Sequence, residues 1–524
     1  MPDIPEQASA PVSPRRVATG IRGLDDILGG GLPADRLHLI DGEPGNGKTT
    51  LALQFLLAGR EAGERCLYVT LSETSAELRG TATSHGWSLD GIDVFELPAT
   101  NTEPADEAYT LFHPAEVELQ QTMGAVLTAV ERHNPSRVVF DSLSEMRMLA
   151  RDPFRFRRQI LALKQFFAGR PSTVLVLDDR TGPEGDLQLE SLAHGVVSLE
   201  RVIMEYGAER RRLWIKKMRG ASYRGGFHDF RIRAGGLEVF PRVEHATGVR
   251  LPSSPPVTSN SPQLDALLGG GLPRGTSALI TGAAGTGKSV LAMQLARDAI
   301  IRGERVCMYL FDERITAAWG RAEGLWTDLK DPLDRGQLVL KQIEPAEMSP
   351  GEFSADVARM VDEEGVSIVV LDSLNGYLQA IPNERHMPAH VHELLTYLGS
   401  RGVTMIMTLV QRGIFGAPID DVAEVSYLAD TVILLRYFEH AGAVRSAISV
   451  VKKRTGAHER TIRECRIGVG GMLVGEPLEA FRGVLTGVPV YSGELAPLMP
   501  DRSRRGRSQA SSADLTADTG PARP

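Results

Sequence analysis

The sequence of 524 residues is short of cysteine, of long apolar runs and of excess positive charge, and each shortage argues against a class of protein. Its three cysteines, Cys66, Cys307 and Cys465, form no CxxC pair, which argues against a zinc knuckle or a disulfide framework and fits a reduced, cytoplasmic setting. No apolar run reaches the roughly 18 residues that span a bilayer, and the start of the chain resembles no secretory signal. The net charge of −8 argues against non-specific binding to nucleic acid or to an anionic membrane.

What the sequence does contain is an internal repeat. Five features recur in the same order at a nearly constant offset, which predicts two copies of one domain rather than a solenoid. The pairs are GGGLP at 29–33 and 269–273, GEPGNGKT at 42–49 and GAAGTGKS at 282–289, Glu73 and Glu313, Asp141 and Asp372, and Arg219 and Arg454.

The repeat and the local composition together predict the domain organisation. Prolines at 252–256 fall between the two copies and indicate an extended linker, because proline interrupts helices and sheet ladders. The final residues are rich in Arg, Ser and Asp and poor in apolar side chains, so we expect disorder there. The expected organisation is a disordered leader at 1–16, a first domain at 17–246, a linker at 247–258, a second domain at 259–483 and a largely disordered C-terminal tail at 484–524.

Within each copy, apolar runs alternate with helical segments. Such runs are typical of parallel strands that are covered by helices on both faces. We therefore predict an α/β fold with a mostly parallel central sheet and flanking helices in each copy, extended by later antiparallel strands. The predicted strands are 37–40, 66–71, 138–140, 173–177, 213–217 and 447–453, and the predicted helix is 49–57.

The segments 42–49 and 282–289 match GxxxxGK[ST], a phosphate-binding loop, and each lies between a strand and a helix as the motif requires. The glycines let backbone N–H groups turn toward phosphate oxygens, and the helix N-terminus adds partial positive charge. Lys48 and Lys288 would reach the β- and γ-phosphates of ATP; two chance glycine-rich turns in this context are a poor alternative. The predicted nucleotide-binding residues are Gly42, Gly45, Asn46, Gly47, Lys48, Thr49, Thr50, Gly282, Gly285, Thr286, Gly287, Lys288, Ser289 and Val290.

Four oxygen-bearing side chains are predicted to hold Mg²⁺. Thr49 and Ser289 would each offer a hydroxyl group to the ion. Asp141 and Asp372 each end an apolar strand, where a carboxylate at the sheet edge would orient the Mg²⁺ shell. The alternative for both aspartates is a cap on the following helix.

Two glutamates are predicted to position the attacking water. Glu73 and Glu313 each follow the second strand of a copy, at the edge where the phosphate loop lies. A carboxylate is a weak base, but positioning supplies much of the catalysis. The alternative is a surface glutamate at the start of a helix, where negative charge is favoured in any case.

These residues, together with GGGLP and the segment 217–220 (KMRG), resemble the KaiC family, circadian clock proteins that are ATPases and autokinases. The resemblance covers residues 17 to 483. It implies tandem RecA-like P-loop NTPase domains that use ATP and Mg²⁺ in a homo-oligomeric, hexameric ring with ATP between subunits. It also implies a slow ATPase in the first domain and serine/threonine autophosphorylation in the second.

The same resemblance implies that Lys217 and Arg219 act on the γ-phosphate of a neighbouring subunit, and that Lys452 and Arg454 do so in the second domain. Cations supplied in trans would neutralise charge on the transferring phosphoryl group. The alternative for all four is a solvated strand edge.

The sequence departs from the family pattern at three places. The family has two adjacent glutamates after the second strand, whereas this chain has Ser72 before Glu73 and Asp312 before Glu313. The family's phosphorylated Ser-Thr pair corresponds to Ser426 and Tyr427, which makes Ser426 the candidate phosphosite. The arginine-containing tail has no clear counterpart in the family, and the partner proteins considered for the chain are signalling or clock proteins.

Two other functions fit parts of the sequence. A RecA-like DNA-handling ATPase, such as a recombinase or helicase, would need basic and aromatic loops in a ring pore. The basic segment 210–217 favours it weakly, and the acidic loop at 180–186 argues weakly against it. The other alternative is a nucleotide-gated signalling scaffold with negligible ATP turnover. The intact Lys, Asp and Glu residues of both copies argue against it.

Overall fold

The computed structural model describes residues 15–97, 114–150, 152–180, 187–204, 207–244, 254–379, 387–411, 426–484 and 490–491. They divide into two compact units: the first runs to Val243 and includes Ala346–Ala358, and the second contains the residues from Glu244 to Pro345 and from Arg359 onward. Residues 1–14 of the predicted leader, 247–253 of the linker, 181–186 of the acidic loop and all of the tail except 484 and 490–491 lie outside the described residues.

The described residues as far as Phe240 contain eleven strands and seven helices. The strands are β1 (Arg16–Val17), β2 (Leu32–Pro33), β3 (Leu37–Gly42), β4 (Cys66–Thr70), β5 (Asp93–Glu96), β6 (Arg137–Asp141), β7 (Thr173–Asp178), β8 (Gly195–Val202), β9 (Arg210–Met218), β10 (His228–Arg233) and β11 (Gly236–Phe240). The helices are α1 (Arg22–Ile27), α2 (Lys48–Glu61), α3 (Ser75–Ser84), α4 (Pro114–His133), α5 (Leu143–Ala150), α6 (Pro153–Phe167) and α7 (Leu187–Leu192).

The described residues from 254 onward contain a matching series. The strands are β12 (Ser277–Gly282), β13 (Arg305–Leu310), β14 (Leu338–Gln342), β15 (Val366–Asp372), β16 (Thr404–Val410), β17 (Thr431–His440), β18 (Ala443–Lys453), β19 (Arg463–Gly468), β20 (Gly471–Pro477), β21 (Phe481–Arg482) and β22 (Val490–Tyr491). The helices are α8 (Pro262–Leu267), α9 (Lys288–Ile301), α10 (Ile315–Leu325), α11 (Lys330–Asp334), α12 (Pro350–Asp362), α13 (Leu374–Gln379) and α14 (Met387–Ser400).

Each unit is built on one large sheet. Among the described residues the first sheet has nine strands in the order β11-β10-β9-β8-β3-β7-β6-β4-β5, and the second has nine in the order β14-β13-β15-β16-β12-β17-β18-β19-β20. The pairings from β5 to β8 are parallel and those from β8 to β11 are antiparallel. The second sheet repeats this division. The predicted fold class, tandem RecA-like α/β domains with mostly parallel sheets, is confirmed.

The central strands are buried because helices cover both of their faces. Every residue of β3, β6 and β7 is buried, and the apolar residues of the first sheet divide between two core clusters. Leu39 and Ile40, neighbours on β3, belong to different clusters, as the alternation of side chains along a strand requires. In the part of the chain that the structure describes, no helix is long and apolar enough to cross a membrane.

Candidate active site

Both phosphate-binding loops lie where a parallel strand ends and a helix begins. β3 ends at Gly42 and α2 begins at Lys48; β12 ends at Gly282 and α9 begins at Lys288. Gly47 and Gly287 precede these helices with φ angles of +95° and +98°, a left-handed conformation that residues with a Cβ rarely adopt. The chain therefore turns sharply into each helix and presents the first N–H groups at the carboxyl edge of the sheet.

The predicted nucleotide-binding residues of each copy lie together in one loop and the helical turn after it. Side chains within the loop also fasten it: the Asn46 amide donates to the carbonyl of Leu199 at 2.9 Å, and Thr286 Oγ1 donates to the carbonyl of Ala283 at 2.8 Å. Thr50 and Val290 are buried in the first turn of their helices. These two side chains are therefore packed inside the protein and do not line the opening of the loop.

The two loop lysines are buried, but they have different partners. Lys48 Nζ donates to the carbonyls of Gly42 and Glu43 at 2.8 and 3.0 Å and lies 2.7 Å from Asp179 Oδ1. Lys288 Nζ donates to the carbonyl of Ala283 at 2.8 Å. Burial lowers the pKa of Lys288 to about 8, although the negative charge of Asp372 acts to raise it. A polyphosphate would compensate this buried charge.

The first predicted metal pair is assembled in the structure. Asp141 ends β6, is 8% exposed, and accepts hydrogen bonds from Thr49 Oγ1 at 3.1 Å and from the Tyr68 hydroxyl. Burial raises the pKa of Asp141, which the hydrogen bonds from Tyr68 and Thr49 oppose. A carboxylate and a hydroxyl are oxygen ligands that suit Mg²⁺, which usually binds one or two protein oxygens plus substrate phosphates. Among the described residues no cluster of three or more His, Cys, Asp or Glu side chains could hold a metal by itself.

The second copy surrounds its aspartate differently. Asp372 ends β15, is equally buried, and accepts a hydrogen bond from Thr408 Oγ1 on β16. Ser289, its predicted companion, lies in the first turn of α9. The hydroxyl of Ser373, the residue after Asp372, donates to the carboxylate of Asp312. The oxygen ligands expected for Mg²⁺ are therefore on the same sheet edge as in the first copy.

Glu73 lies beside this edge in a setting that favours the protonated acid. The Thr70 hydroxyl holds the Glu73 backbone, accepting from its N–H at 3.0 Å and donating to its carbonyl at 2.7 Å. Glu73 Oε2 is buried and has no hydrogen-bond partner among the described residues. Burial raises the pKa of Glu73, and the charge of Asp141 raises it further. This buried oxygen is an acceptor that the neighbouring described residues leave unused.

Glu313 follows β13 as predicted, but it is already paired. Arg321 Nη1 and Nη2 donate to Glu313 Oε1 and Oε2, each at 2.6 Å. The corresponding position in the first copy, at the offset of 240 residues, is Thr81. The two predicted water-positioning carboxylates therefore differ in hydrogen bonding although their sequence contexts are alike.

Asp179, which follows β7 at the same sheet edge, is a site residue that the sequence did not predict. Besides Lys48, its carboxylate accepts hydrogen bonds from Ser142 and Ser144 at 3.2 and 3.1 Å. Burial alone would raise the pKa of Asp179, but the charge and hydrogen bond of Lys48 and the two serine hydroxyls hold it below its usual value. The acidic pair that ends the predicted strand 173–177 was the available signal. Tyr68 and Arg321 had no comparable signal in the sequence.

The four predicted trans-acting cations lie far from the phosphate loop of their own copy. Lys217 pairs with Val196 near the start of β8, whereas Gly42 pairs with Leu199, three residues further along. This separation is about 10 Å of strand before the loop itself begins. In the second copy Lys452 pairs with Val432 and Gly282 with Leu435, which gives the same spacing. In both copies the predicted lysine therefore lies three strand positions before the residue at which the phosphate loop begins.

Within the subunit these cations bind backbone carbonyls. Lys217 donates to Glu190 and Arg219 to Ser191, the latter at 2.9 Å. Burial lowers the pKa of Lys217 and that of Lys452. In the second copy the acceptors surround the candidate phosphosite: Lys452 donates to the carbonyls of Ser426 and Ala429, each at 2.8 Å, and Arg454 donates to Tyr427 at 2.6 Å and to Asp430 Oδ1 at 3.3 Å.

Comparison with known proteins decides the family. The model of the KaiC ATPase family matches residues 17–244 and 257–479, which is most of the chain. The chain belongs to the KaiC ATPase family. The resemblance inferred from the phosphate loops and from GGGLP is thereby confirmed.

Individual KaiC proteins resemble the chain over nearly their whole length. The circadian clock protein KaiC3 of Synechocystis sp. is 27% identical over 494 residues, covering 91% of this chain and 95% of that protein. The circadian clock oscillator protein KaiC of Acaryochloris marina is 26% identical over 479 residues, covering 90% and 91%. The KaiC oscillator protein of Synechococcus elongatus is 27% identical over 493 residues, covering 90% and 92%.

Proposed function

We propose that this KaiC-family chain binds two Mg-ATP molecules, one in each phosphate loop, and hydrolyses them. The observation that carries the proposal is the assembled first site, in which Lys48, Thr49, Asp141 and Glu73 converge at the carboxyl edge of one sheet. Lys48 and Lys288 would hold the β- and γ-phosphates, and bound Mg²⁺ would offset the charge that develops on them. Glu73, which follows β4 at this edge, would orient the attacking water through its carboxylate group.

The test is the stoichiometry of Mg-ATP binding by the full chain. We expect two ATP per chain in the wild type and one in either Lys48→Ala or Lys288→Ala, because each lysine serves one nucleotide. Equilibrium dialysis with labelled ATP measures this number. An unchanged stoichiometry in both variants would contradict the assignment.

The active form, in this proposal, is a homo-oligomeric hexameric ring in which Lys217 and Arg219, and Lys452 and Arg454, complete the sites of neighbouring subunits. The support is geometric, since Lys217 and Lys452 lie about 10 Å along the sheet from the start of the phosphate loop in their own copy. In the second domain the same site would also transfer the γ-phosphoryl group to a serine hydroxyl. Ser426 is the acceptor that we propose, because it adjoins Lys452 and Arg454.

The relatives bear names of circadian clock proteins, which supports a cytoplasmic clock-type or signalling role with protein partners for this chain. DNA handling is less favoured by the structure of the basic strand β9. Lys216 is ion-paired with Asp41 and Glu190, and Arg212 with Glu200. Arg180, at the start of the loop considered for a pore, is paired with Asp41. Cations neutralised in this way contribute little to a DNA-binding surface.

A further inference from the structure

The buried amine of Lys48 already has an anionic partner. Asp179 Oδ1 lies 2.7 Å from Lys48 Nζ, and the two side chains are 27% and 7% exposed. The other carboxylate oxygen, Oδ2, accepts from the hydroxyls of Ser142 and Ser144. Asp179 is therefore held by three donors and is not a mobile surface group that happens to lie near the loop.

The second copy has no carboxylate at this position. Leu37 of β3 pairs with Val174 of β7, and Ser277 of β12, its counterpart at the offset of 240, pairs with Met405 of β16. Five residues beyond these pairs, Asp179 in the first copy corresponds to Val410 in the second. Lys288 is correspondingly bonded to the carbonyl of Ala283 and has no acidic ion-pair partner among the described residues.

We propose that Asp179 is an internal counter-ion that competes with nucleotide phosphate for Lys48 and thereby weakens ATP binding at the first site relative to the second. The proposal rests on the proposed function, in which both loops bind ATP. It assigns to Asp179 the control of nucleotide affinity at the first site, whereas Val410 stands at the corresponding position of the second copy.

The physical reason is an exchange of partners. A phosphate that reaches Lys48 replaces a charge-assisted contact that the free protein already has, so only the difference between the two contacts favours binding. The displaced carboxylate stays tethered by Ser142 and Ser144, so its negative charge remains close to the incoming phosphates. At the second site Lys288 loses no ion pair, and its buried charge gains a compensating anion.

The experiment measures Mg-ATP binding by calorimetry to the full chain. Lys288→Ala leaves only the first loop competent, and Asp179→Asn is added to it. The amide keeps the shape of the carboxylate but loses its charge, so we expect ATP to bind about tenfold more tightly. Asp179→Ser, which also shortens the side chain, should likewise increase the affinity for ATP. Agreement between the two variants would show that the increase does not come from a new hydrogen bond made by the amide.

A matched control removes one negative charge elsewhere in the same unit. Glu61 is exposed at the last position of α2, about 20 Å along the helix from Lys48. Glu61→Gln should leave the affinity of the first loop unchanged. This control distinguishes the effect of the local ion pair on ATP affinity from the effect of a change in net charge.

The reciprocal variant introduces the counter-ion where it is missing. In a Lys48→Ala chain, which retains only the second loop, Val410→Asp should weaken ATP binding about tenfold, and Val410→Asn should weaken it less. Thermal unfolding gives a second readout. Without nucleotide, Asp179→Asn should lower the unfolding temperature, because Lys48 loses its partner. Added ATP should then raise the unfolding temperature of this variant more than that of the wild type.

Distinct results overturn the two proposals. If the wild type binds two ATP but Asp179→Asn and Asp179→Ser bind with equal or lower affinity at the first loop, the counter-ion proposal is wrong and the proposed function stands. An unchanged affinity with lost hydrolysis would show that Asp179 orients water instead. If the wild type binds ATP at neither loop, both proposals fail together.

Discussion

Arg321 holds Glu313 through two parallel hydrogen bonds of 2.6 Å. A guanidinium group that grips both oxygens of a carboxylate occupies the lone pairs that would otherwise face water or a hydroxyl group. In the first copy Glu73 has a buried oxygen with no partner among the described residues, and Thr81 stands where Arg321 would be. Of the two equivalent glutamates in the chain, Glu313 is therefore held by an arginine and Glu73, within the described ranges, is not.

We expect Arg321→Thr to raise ATP hydrolysis at the second site by about threefold to tenfold, because Glu313 would then be available to orient the nucleophile. The measurement is phosphate release from the Lys48→Ala chain, in which only the second loop binds ATP. Arg321→Lys keeps the positive charge without the bidentate grip and should give a smaller increase. The mirror-image variant, Thr81→Arg in the Lys288→Ala chain, should slow the first site. A loss of activity in Arg321→Thr would show that the ion pair positions Glu313 productively.

The raised pKa of Glu73 predicts a dependence of stability on pH. A carboxyl group whose pKa is higher in the folded than in the unfolded protein destabilises the fold above the folded-state pKa, and this effect disappears as the pH falls below the unfolded-state value. Glu73→Gln should therefore raise the unfolding temperature of the first unit at about pH 7.5 and have little effect at about pH 4. It should also abolish hydrolysis at the first site. A variant that is less stable than the wild type at neutral pH would contradict this reading of the buried oxygen.

Assembly of the chain should depend on ATP if the sites lie between subunits. Light scattering should report hexamers with Mg-ATP and smaller species without it, since a ligand that binds only the assembled form stabilises it. Arg219→Ala and Arg454→Ala should each reduce hydrolysis at the matching site by about a thousandfold or more, the scale expected of an arginine supplied in trans. Arg212, on the same strand as Lys217 but paired with Glu200, is the control, and Arg212→Gln should be active. A chain that hydrolyses ATP as a monomer would refute the trans assignment.

Self-phosphorylation should leave a label at Ser426. We expect radiolabel from γ-labelled ATP in the wild type, and its loss in Ser426→Ala and Glu313→Gln. Tyr427, whose side chain is 55% exposed, should not replace the threonine of the family, so Tyr427→Phe should label normally and Tyr427→Thr should accept a second phosphate. The added charge of about −1.5 to −2 would lie beside Lys452 and Arg454. Label that persists in Ser426→Ala would place the acceptor elsewhere.

Much of the fold could be predicted from the sequence because buried parallel strands, such as β3 and β7, are rich in apolar residues and are readily recognised. The phosphate loops were equally accessible, since their spacing of glycines is required by the backbone itself. The partners of the charged residues were not accessible. Lys48 and Asp179 are 131 positions apart and meet only because β3 and β7 are neighbours. Likewise, the engagement of Glu313 depends on where α10 directs Arg321, which no local pattern specifies.

The covalent link between the copies has a genetic consequence. In a protein with one copy per chain, any substitution changes every site of an assembly at once. Here the aspartate at position 179 and the valine at position 410 belong to one chain and are inherited together. Each chain therefore contains one site of each kind whatever the level of expression, and a mutation can alter one kind without disturbing that ratio.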